Sequence, residues 1–391
     1  MGHSRRMRIA VDTKNFALHD AGISQFTKLF LRPLIEARPH DQFILVGPPC
    51  DLSFLDGLVN ITKLTVPHYR RYGRAAILLY DCFQFPRAIR GLKPDLLYSP
   101  YYDFRIPRGI PTIVTIYDLC YYHYRERALI GAYYRWLAKT NATQALKIIT
   151  CSNFSRDDLV RTLGVDPTKI AVVFGSIDAP FLATPNDAQA ISSLKHAQGL
   201  TGSMILLYTG GITGRKNLRR LFEALSRVPE IDGIPVCLVM SNAYVHQQLL
   251  TGWAHELGIM ARLILLDKVN RGVLRQWYFA ADAVVYPSLW EGFGFPILEA
   301  MSAGTPIAVS AGSCLPELGG GYAEYFDPLD VQDMAEAVRR ALQTGRKPVT
   351  LPAKYTLAEN LARFTQALDL QGMDETRRSH ISDPRREPVR L

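Results

Sequence analysis

The chain has 391 residues, of which 48% are hydrophobic and 21% are charged, values that are typical of soluble globular proteins. This composition excludes a collagen-like, a low-complexity or a wholly disordered protein, and the length predicts two or three domains. The longest apolar runs are far shorter than the roughly 20 residues that span a bilayer, and the opening residues lack the apolar core of a signal peptide.

The chain carries 45 basic and 36 acidic residues, which gives a formal net charge of +9. Such an excess favours nucleic acid, an anionic membrane surface or phosphorylated ligands, and its distribution has to decide between them. The six cysteines are scattered singly and form no CxxC pair. We therefore predict no disulfide framework and no zinc site, and we expect a reducing, cytoplasmic compartment.

Strand and helix patterns alternate along the first half of the chain. Short apolar segments predict strands, and apolar residues at helical spacing predict helices. A further helix is predicted after Ser152, where Ser152 and Asn153 offer N-cap chemistry. The predicted strands are 7–11, 43–46, 96–99, 112–117, 147–151 and 170–174, and the other predicted helices are 25–37 and 128–145.

The alternation restarts after residue 203. The predicted strands are 204–208, 236–240, 263–266, 283–286, 306–310 and 324–326, and the predicted helices are 217–226, 245–257, 271–281, 296–303 and 331–343. Apolar strands that are separated by helices indicate parallel sheets covered on both faces. Two such runs predict an α/β protein with two doubly wound, Rossmann-like domains.

These patterns predict four segments. Residues 7–178 form the first domain and residues 179–352 the second, with a linker and one helix at 178–202. Residues 353–371 form a helix that packs back toward the first domain, and residues 372–391 form a disordered basic tail. We weigh a nucleic-acid role for that tail and expect no nucleic-acid partner.

The loop from Tyr208 to Asn217 leaves a predicted strand and enters a predicted helix. Its glycines allow close approach of the backbone to a ligand, and the helix start offers N–H groups and a positive dipole end. Arg215 and Lys216 add two positive charges at the same place, which suits a diphosphate. The alternative is an ordinary glycine-rich turn followed by a solvated basic pair. The loop matches neither a Walker A motif nor GxGxxG.

A second loop, around Glu291-Gly292-Phe293-Gly294, also follows a strand and precedes a helix that contains Glu299. The carboxylates of Glu291 and Glu299 are predicted to point to the same sheet edge, where they can accept hydrogen bonds from several sugar hydroxyls. In the alternative interpretation Glu291 is a surface acid and Glu299 is a partner of the helix dipole. That alternative explains Glu299 better than it explains Glu291.

Three segments together resemble the donor domain of GT-B glycosyltransferases: 210–217, the Glu291 and Glu299 pair with seven residues between, and 303–318. The closest resemblance is to the family 4-like, retaining bacterial mannosyl- and glucosyltransferases of polysaccharide assembly. In the first half, 21–24, 115–119 and 151–155 resemble further family segments. The resemblance implies a GT-B fold, in which two Rossmann-like domains face each other across a cleft. It also implies that the first domain binds the acceptor and the second binds the nucleotide sugar.

The resemblance also implies roles for individual residues. Arg215 and Lys216 would hold the donor diphosphate and stabilise the departing nucleoside diphosphate. Glu291 would contact the transferred sugar, and Glu299 would bind the ribose hydroxyls. Further donor-binding positions are expected at Gly22, Gly210, Gly211, Val269 (beside the base), Gly292, Phe293 and Gly294.

One position departs from the family pattern. Many relatives have His-Asp where this chain has Tyr117-Asp118. A tyrosine, with a reference pKa of about 10, is a poor base near neutral pH. Tyr117 and Asp118 are retained as candidate catalytic residues, with Asp118 orienting the acceptor. Alternatively His123 takes the place of the missing histidine, or it is simply a surface residue.

The chain contains no Asp-x-Asp sequence, so we predict a metal-independent transfer without a cofactor. A cation pair and a helix N-terminus can stabilise the negative charge that develops on the leaving diphosphate. The resemblance implies retention and suggests mannose from GDP-mannose, with a glycan or polyprenyl-diphosphate-linked acceptor. The alternatives are a GT-B nucleotide-sugar epimerase and a non-catalytic nucleotide-sugar-binding scaffold at the membrane.

A basic and aromatic stretch, 68–74, precedes the apolar residues 75–80, and Arg87, Arg90 and Lys93 follow. Cations beside apolar side chains suit an anionic membrane surface, with about 1 kcal/mol from each cation. We therefore expect peripheral association with the inner face of the plasma membrane. A solvated helix face is the alternative.

Overall fold

The computed structural model describes residues 6–14, 16, 22–67, 74–124, 128–177, 181, 188–348 and 351–369. The chain divides into two compact units. The first unit holds the described residues up to Gly175 and those from Leu357 onward, and the second holds those of Ser176–Thr356. Each unit contains a parallel sheet with helices around it, which confirms the prediction of two Rossmann-like domains.

The sheet of the first unit has seven strands, all parallel, in the order β3-β2-β1-β4-β5-β6-β7. Edge strand β3 was not predicted, because its residues alternate between half-buried and exposed instead of forming an apolar run. The strands are β1 (Arg8–Asp12), β2 (Gln42–Gly47), β3 (Ile61–Thr65), β4 (Leu96–Ser99), β5 (Thr112–Thr115), β6 (Lys147–Thr150) and β7 (Ile170–Val172).

The helices of the first unit connect these strands. Between β3 and β4 the chain forms two short helices joined by a π-helical turn, Tyr80–Gln84, a region for which the sequence analysis assigned no helix. The described helices are α1 (Gly22–Glu36), α2 (Arg74–Leu79), α3 (Phe85–Leu92), α4 (Cys120–His123), α5 (Ala128–Gln144) and α6 (Asn153–Leu163). Ser152 caps α6 as predicted, because its side chain accepts a hydrogen bond from the backbone N–H of Ser155.

The sheet of the second unit has the order β11-β10-β8-β12-β13-β14, and the short β9 pairs antiparallel with β10. The other pairings are parallel. The strands are β8 (Met204–Tyr208), β9 (Glu230–Ile231), β10 (Ile234–Met240), β11 (Leu263–Leu265), β12 (Ala283–Tyr286), β13 (Ile307–Ser310) and β14 (Glu324–Phe326).

The helices of this unit cover the sheet. The apolar faces of α8 and α13, for example, pack with strand residues in one buried core. The described helices are α7 (Ala188–Ala197), α8 (Leu218–Ser226), α9 (Gln247–Glu256), α10 (Arg271–Ala280), α11 (Phe295–Ala303), α12 (Leu315–Gly319) and α13 (Val331–Thr344). In the part of the chain that the structure covers, no helix has both the length and the apolar character to cross a bilayer.

The last described helix, α14 (Leu357–Leu368), belongs to the first unit. The Phe364 ring lies 5.6 Å from that of Phe30 on α1 and 5.2 Å from that of Tyr98 on β4. The Asn360 side chain accepts a hydrogen bond from the backbone N–H of Phe174 at 2.9 Å. Helix α14 therefore covers part of the first sheet, although it follows the second unit in sequence.

The strand order reverses at one place in each sheet, between β1 and β4 in the first and between β8 and β12 in the second. Parallel doubly wound sheets bind their ligands outside the carboxyl ends of the strands at such a reversal. The loops that follow β8 and β12 are the two loops that the sequence analysis singled out.

Several boundaries differ from prediction near candidate residues. Helix α1 begins at the candidate Gly22 instead of residue 25, and α11 begins at Phe295 instead of residue 296. Strand β5 ends at Thr115, so Tyr117 lies in the following loop. Helix α8 begins at Leu218 instead of Asn217, because Asn217 adopts a left-handed conformation with φ of 59°. Arg215 and Lys216 consequently lie in a 3-10 turn, Gly214–Lys216, that precedes the helix.

Candidate functional site

The loops after β8 and β12 are joined by backbone contacts. The Leu289 N–H donates to the Arg215 carbonyl at 2.8 Å, and the Arg215 Nη1 donates to the Trp290 carbonyl at 2.6 Å. Neighbouring parallel strands bring their carboxyl ends to the same sheet edge, so segments that are about 75 residues apart in sequence meet there.

Glu291 is the centre of this contact. Lys216 Nζ lies 2.5 Å from its Oε1, and Arg215 Nη1 lies 2.8 Å from its Oε2. Lys216 also donates to the Tyr286 hydroxyl at 3.0 Å, and the backbone N–H of Glu291 donates to Ser313 Oγ at 3.1 Å. Two cations against one carboxylate leave one positive charge in excess, which suits an anionic ligand.

The ionisation of Glu291 follows from these neighbours. Burial raises the pKa of the carboxyl, but the positive charges of Lys216 and Arg215 lower it more, to about 2. Glu291 is therefore a carboxylate throughout the neutral range. It can accept hydrogen bonds from hydroxyl groups, and it does not serve as a general acid there.

Gly210 and Gly294, one glycine in each loop, have close neighbours, whereas a Cβ on Gly211 would meet nothing within 4 Å. A Cβ on Gly210 would lie 2.2 Å from the Tyr208 hydroxyl oxygen, and that hydroxyl donates to the Gly211 carbonyl at 2.7 Å. A Cβ on Gly294 would lie 3.0 Å from the Leu315 side chain. In the residues that follow Glu291, Gly292 and Gly294 are buried and Phe293 is half-buried. The backbone of this loop is therefore closely packed.

Glu299 has a separate set of partners. It lies on α11 with 3% of its surface exposed. Arg271 Nη1 donates to its Oε1 at 2.6 Å, and the Tyr278 hydroxyl donates to its Oε2 at 2.6 Å. Tyr278 is itself 2.8 Å from Thr209 Oγ1, in the loop after β8. Glu291 is thus held by Arg215 and Lys216, and Glu299 is held by Arg271.

The remaining predicted site residues of the two units have simpler surroundings. Val269 is half-buried in the loop between β11 and α10, and Gly22 is the exposed first residue of α1. Asp118 accepts a hydrogen bond from the Cys120 N–H at 2.8 Å, at the start of α4. The ring of Tyr117 packs edge-on against Phe26 at 5.3 Å, and burial raises the pKa of its hydroxyl well above the usual value.

His123 contacts an acid on another helix. Its Nε2 lies 2.9 Å from Asp158 Oδ2, and the Asp158 side chain is almost completely buried whereas that of His123 is partly exposed. Arg161 Nη2 approaches the same carboxylate at 3.4 Å. His123 therefore ties α4 to α6, and its role as a substitute for the family histidine remains a prediction.

The structure also reveals a buried ionic cluster that the sequence analysis did not find. Lys14, which is 1% exposed, has its Nζ 2.7 Å from Asp81 Oδ1 and 2.8 Å from Asp103 Oδ1. Asp12, at the end of β1, accepts hydrogen bonds from the Lys14 backbone N–H and from Ser99 Oγ. The cluster lies where the order of the first sheet reverses. A lysine directly after an apolar strand is the sequence signal that points to it.

Family models of glycosyltransferases match both halves of the chain. Residues 22–180 match the family described as Glycosyltransferase Family 4, and residues 193–354 match the one described as Glycosyl transferases group 1. The chain belongs to the GT-B glycosyltransferases that combine these two domains.

Several known proteins are similar over most of the chain. O-antigen chain mannosyltransferase B of Escherichia coli is 26% identical over 371 residues, which cover 86% of this chain and 91% of that protein. O-antigen chain mannosyltransferase RfbU of Salmonella typhimurium is 25% identical, covering 82% of this chain and 87% of that protein. The structure of Anabaena HepE in complex with UDP and glucose shares the fold, with a TM-score of 0.67 at 17% identity over 96% of this chain and 98% of that chain.

Proposed function

We propose that this glycosyltransferase transfers a mannosyl group from GDP-mannose, with retention and without a metal ion, in surface polysaccharide biosynthesis. The acceptor would be a glycan or a polyprenyl-diphosphate-linked oligosaccharide. The contact of Arg215 and Lys216 with Glu291 carries the proposal, because it joins cations for a diphosphate to a carboxylate for sugar hydroxyls. The names of the two mannosyltransferase relatives support the choice of sugar.

The chemistry follows the charges of this site. Breaking the bond between the anomeric carbon and the diphosphate oxygen leaves the electron pair on that oxygen. Arg215 and Lys216 would stabilise the resulting negative charge without a metal ion. Glu291, ionised at neutral pH, would accept hydrogen bonds from the sugar and oppose the positive charge that develops on its ring. The acceptor oxygen would bond to the anomeric carbon on the face from which the diphosphate leaves, and its proton would go to the leaving phosphate oxygen. Attack and departure on the same face yield retention.

A donor panel tests this proposal without an acceptor. We expect slow hydrolysis of GDP-mannose in preference to UDP-glucose, UDP-galactose and UDP-N-acetylglucosamine, unchanged by EDTA, with the α-anomer of mannose formed first by NMR. Hydrolysis of a UDP-sugar alone would contradict GDP-mannose as the donor. Formation of the β-anomer first would contradict transfer with retention. Conversion of a UDP-sugar to its 2-epimer would instead support the epimerase, and binding without any turnover would support the scaffold.

We further propose peripheral attachment to an anionic membrane through an apolar surface on the first unit. Residues 68–73 of the predicted basic stretch lie outside the described residues. Leu79 and Phe83 are 55% and 62% exposed, and Arg87 and Arg90, both exposed, follow Phe83 at helical spacing. Exposed apolar side chains beside cations are typical of membrane-binding surfaces.

The adjoining helix α5 extends this surface. Cys82 Sγ lies 4.0 Å from the Tyr133 hydroxyl, and the Tyr133 ring lies 6.0 Å from that of Trp136, which is 39% exposed. An aromatic side chain with a polar edge suits the boundary between headgroups and acyl chains. The membrane surface would therefore comprise Leu79, Phe83 and Trp136, with Arg87 and Arg90 beside them.

Replacing both Leu79 and Phe83 by serine is expected to weaken binding to phosphatidylglycerol-rich vesicles by at least tenfold in co-sedimentation. Each side chain contributes about 1.5–3 kcal/mol when it leaves water. Val59→Ser is the matched control, since Val59 is 98% exposed and lies near the amino end of β3. Equal binding of the double variant and the control would contradict the membrane surface.

A further inference from the structure

Arg271 occupies a position in the fold that is electrostatically unfavourable for a cation. It is the first residue of α10, and the N-terminus of a helix carries a partial positive charge. Lysine and arginine are ordinarily placed at the opposite end of a helix. A cation here needs a compensating partner, and the structure supplies two: Glu299 and Phe181.

The first partner is the Glu299 carboxylate, whose Oε1 receives the Arg271 N–H at 2.6 Å. The second is the Phe181 ring, which lies under the guanidinium at 4.5 Å from its centre. Phe181 is 3% exposed and also packs edge-on against Tyr278 at 5.5 Å. The guanidinium is thus stacked on one side and ion-paired at its edge, which restricts the rotation of both charged groups.

Tyr278 holds the second carboxylate oxygen of Glu299. Its hydroxyl donates to Oε2 at 2.6 Å, and burial together with the Glu299 charge raises the pKa of this hydroxyl well above its usual value. Tyr278 therefore stays a donor at neutral pH. A carboxylate has about four acceptor positions, so one protein donor on each oxygen leaves one position on each for a ligand. Two oxygens held in one orientation can accept hydrogen bonds from two neighbouring hydroxyls.

We infer that Arg271, stacked on Phe181, is a positioning residue that orients Glu299 for the vicinal hydroxyls of the donor ribose. This inference rests on the proposed function, because it takes Glu299 as the ribose-binding acid. Arg271 acts through Glu299, and its loss should matter only for ligands that carry those hydroxyls. A merely structural residue would affect ligands with and without them to the same degree.

The test measures binding of GDP and 2′,3′-dideoxy-GDP, and of the corresponding UDP pair, to the full chain by calorimetry. For the wild type we expect the dideoxy nucleotide to bind at least tenfold more weakly, because a buried acceptor pair then lacks its donors. For Arg271→Gln we expect GDP binding to weaken about tenfold and dideoxy-GDP binding to stay unchanged. The ratio of the two dissociation constants should therefore fall to between about one and three.

Two further variants complete the design. Phe181→Leu keeps Arg271 and Glu299 and removes only the stacked ring. We expect the ratio of the dissociation constants of the dideoxy nucleotide and the ribonucleotide to fall about threefold. This variant tests the inference if Arg271→Gln does not fold. Arg340→Gln is the matched control: Arg340 pairs with Glu324 at 3.2 Å, at the amino end of β14, on the opposite sheet edge. Its ratio should equal that of the wild type.

Nucleotide binding and the positioning role of Arg271 can fail independently of each other. If the wild type binds UDP and not GDP, the proposed donor fails, and if it binds neither nucleotide, the proposed function fails as a whole. If it binds one of them and Arg271→Gln weakens both members of the pair equally, or neither, the positioning role is overturned. A wild type that binds the ribose and dideoxy forms equally well also overturns it, while nucleotide binding itself stands.

Discussion

Replacing Lys216 by methionine is expected to lower kcat/KM for sugar transfer by about 10²–10³-fold, because the leaving diphosphate loses one of its two cations. Lys216 is 8% exposed and already lies against Glu291 and Tyr286, so its ammonium needs little reorganisation during the reaction. Steady-state kinetics with the donor identified in the hydrolysis panel provides the measurement, and GDP binding should weaken in parallel.

Glu291→Gln separates the sugar contact from the diphosphate contact. This variant keeps the shape of the side chain and removes its charge, so we expect GDP binding within about threefold of the wild type. Sugar transfer should nevertheless fall, by about 10²-fold or more, because the charge opposite the sugar ring is lost. Thermal unfolding of both variants checks that the loops remain folded.

The pH profile adds a second readout. Because the cations beside Glu291 lower its pKa to about 2, this carboxyl stays ionised at every pH at which the enzyme is assayed. Wild type and Glu291→Gln should therefore have the same shape of kcat/KM against pH between 5 and 8. A limb of the profile that is present in the wild type and absent from Glu291→Gln would contradict a permanently ionised Glu291.

For the Lys216→Met variant, an unchanged affinity for GDP would contradict the assignment of Lys216 to the diphosphate.

Replacing Lys14 by methionine is expected to lower the free energy of unfolding of the first unit by about 3–5 kcal/mol at pH 8. The reason is that removing one partner of a buried ion pair leaves uncompensated charge in a low-dielectric interior. Lys14 faces Asp81 and Asp103 at 2.7 and 2.8 Å, with Asp12 nearby and the Tyr80 ring 5.6 Å away. Urea unfolding of the full chain, followed by circular dichroism, measures the change.

The sign of the pH dependence follows from the aspartates. Burial raises the pKa of Asp12 from 3.8 to about 6, and burial also raises that of Asp81, while Lys14 opposes both shifts. A carboxyl whose pKa is higher in the folded state than in the unfolded state loses its stability contribution as pH rises through the folded value. Without Lys14 these values rise further, so at pH 5.5 the acids take up protons. The destabilisation by Lys14→Met should then be smaller at pH 5.5 than at pH 8.

Glu36→Gln is the matched control for this experiment. Arg32 pairs with Glu36 one helical turn away, and both side chains are 40% or more exposed. Such a pair contributes at most about 0.5 kcal/mol. An effect of Lys14→Met no larger than that of Glu36→Gln would show that the cluster is not a buried ion pair, and so would a larger effect at pH 5.5 than at pH 8.

Much of the architecture could be predicted because both sheets are parallel and buried. Strands such as Met204–Tyr208 are continuous apolar runs, and the helices between them have apolar residues at helical spacing. The exceptions have a common cause. Both elements have an exposed face that breaks the expected pattern. Edge strand β3 carries no apolar run, and the helices at 74–92 have Leu79 and Phe83 on a solvent face where an amphipathic helix ordinarily has polar residues.

The candidate residues for a diphosphate and a sugar could be predicted from the local sequence. Arg215 and Lys216 follow one strand and Glu291 follows another, and each loop contains glycines and charges that an ordinary turn does not need. Local composition is enough for this step because a parallel strand places its functional side chains in the loop directly after it.

Which of these residues meet depends on the assembled sheets. The strand order places β8 beside β12 and β1 beside β4, although long stretches of chain separate the members of each pair. The contacts of Glu291 with Lys216, of Glu299 with Arg271, and of Lys14 with Asp81 and Asp103 all depend on this order. Two charged side chains form an ion pair only when they lie within a few ångströms of each other. The distance between two loops depends on the order of the strands in the whole sheet, and the sequence of either loop does not specify it.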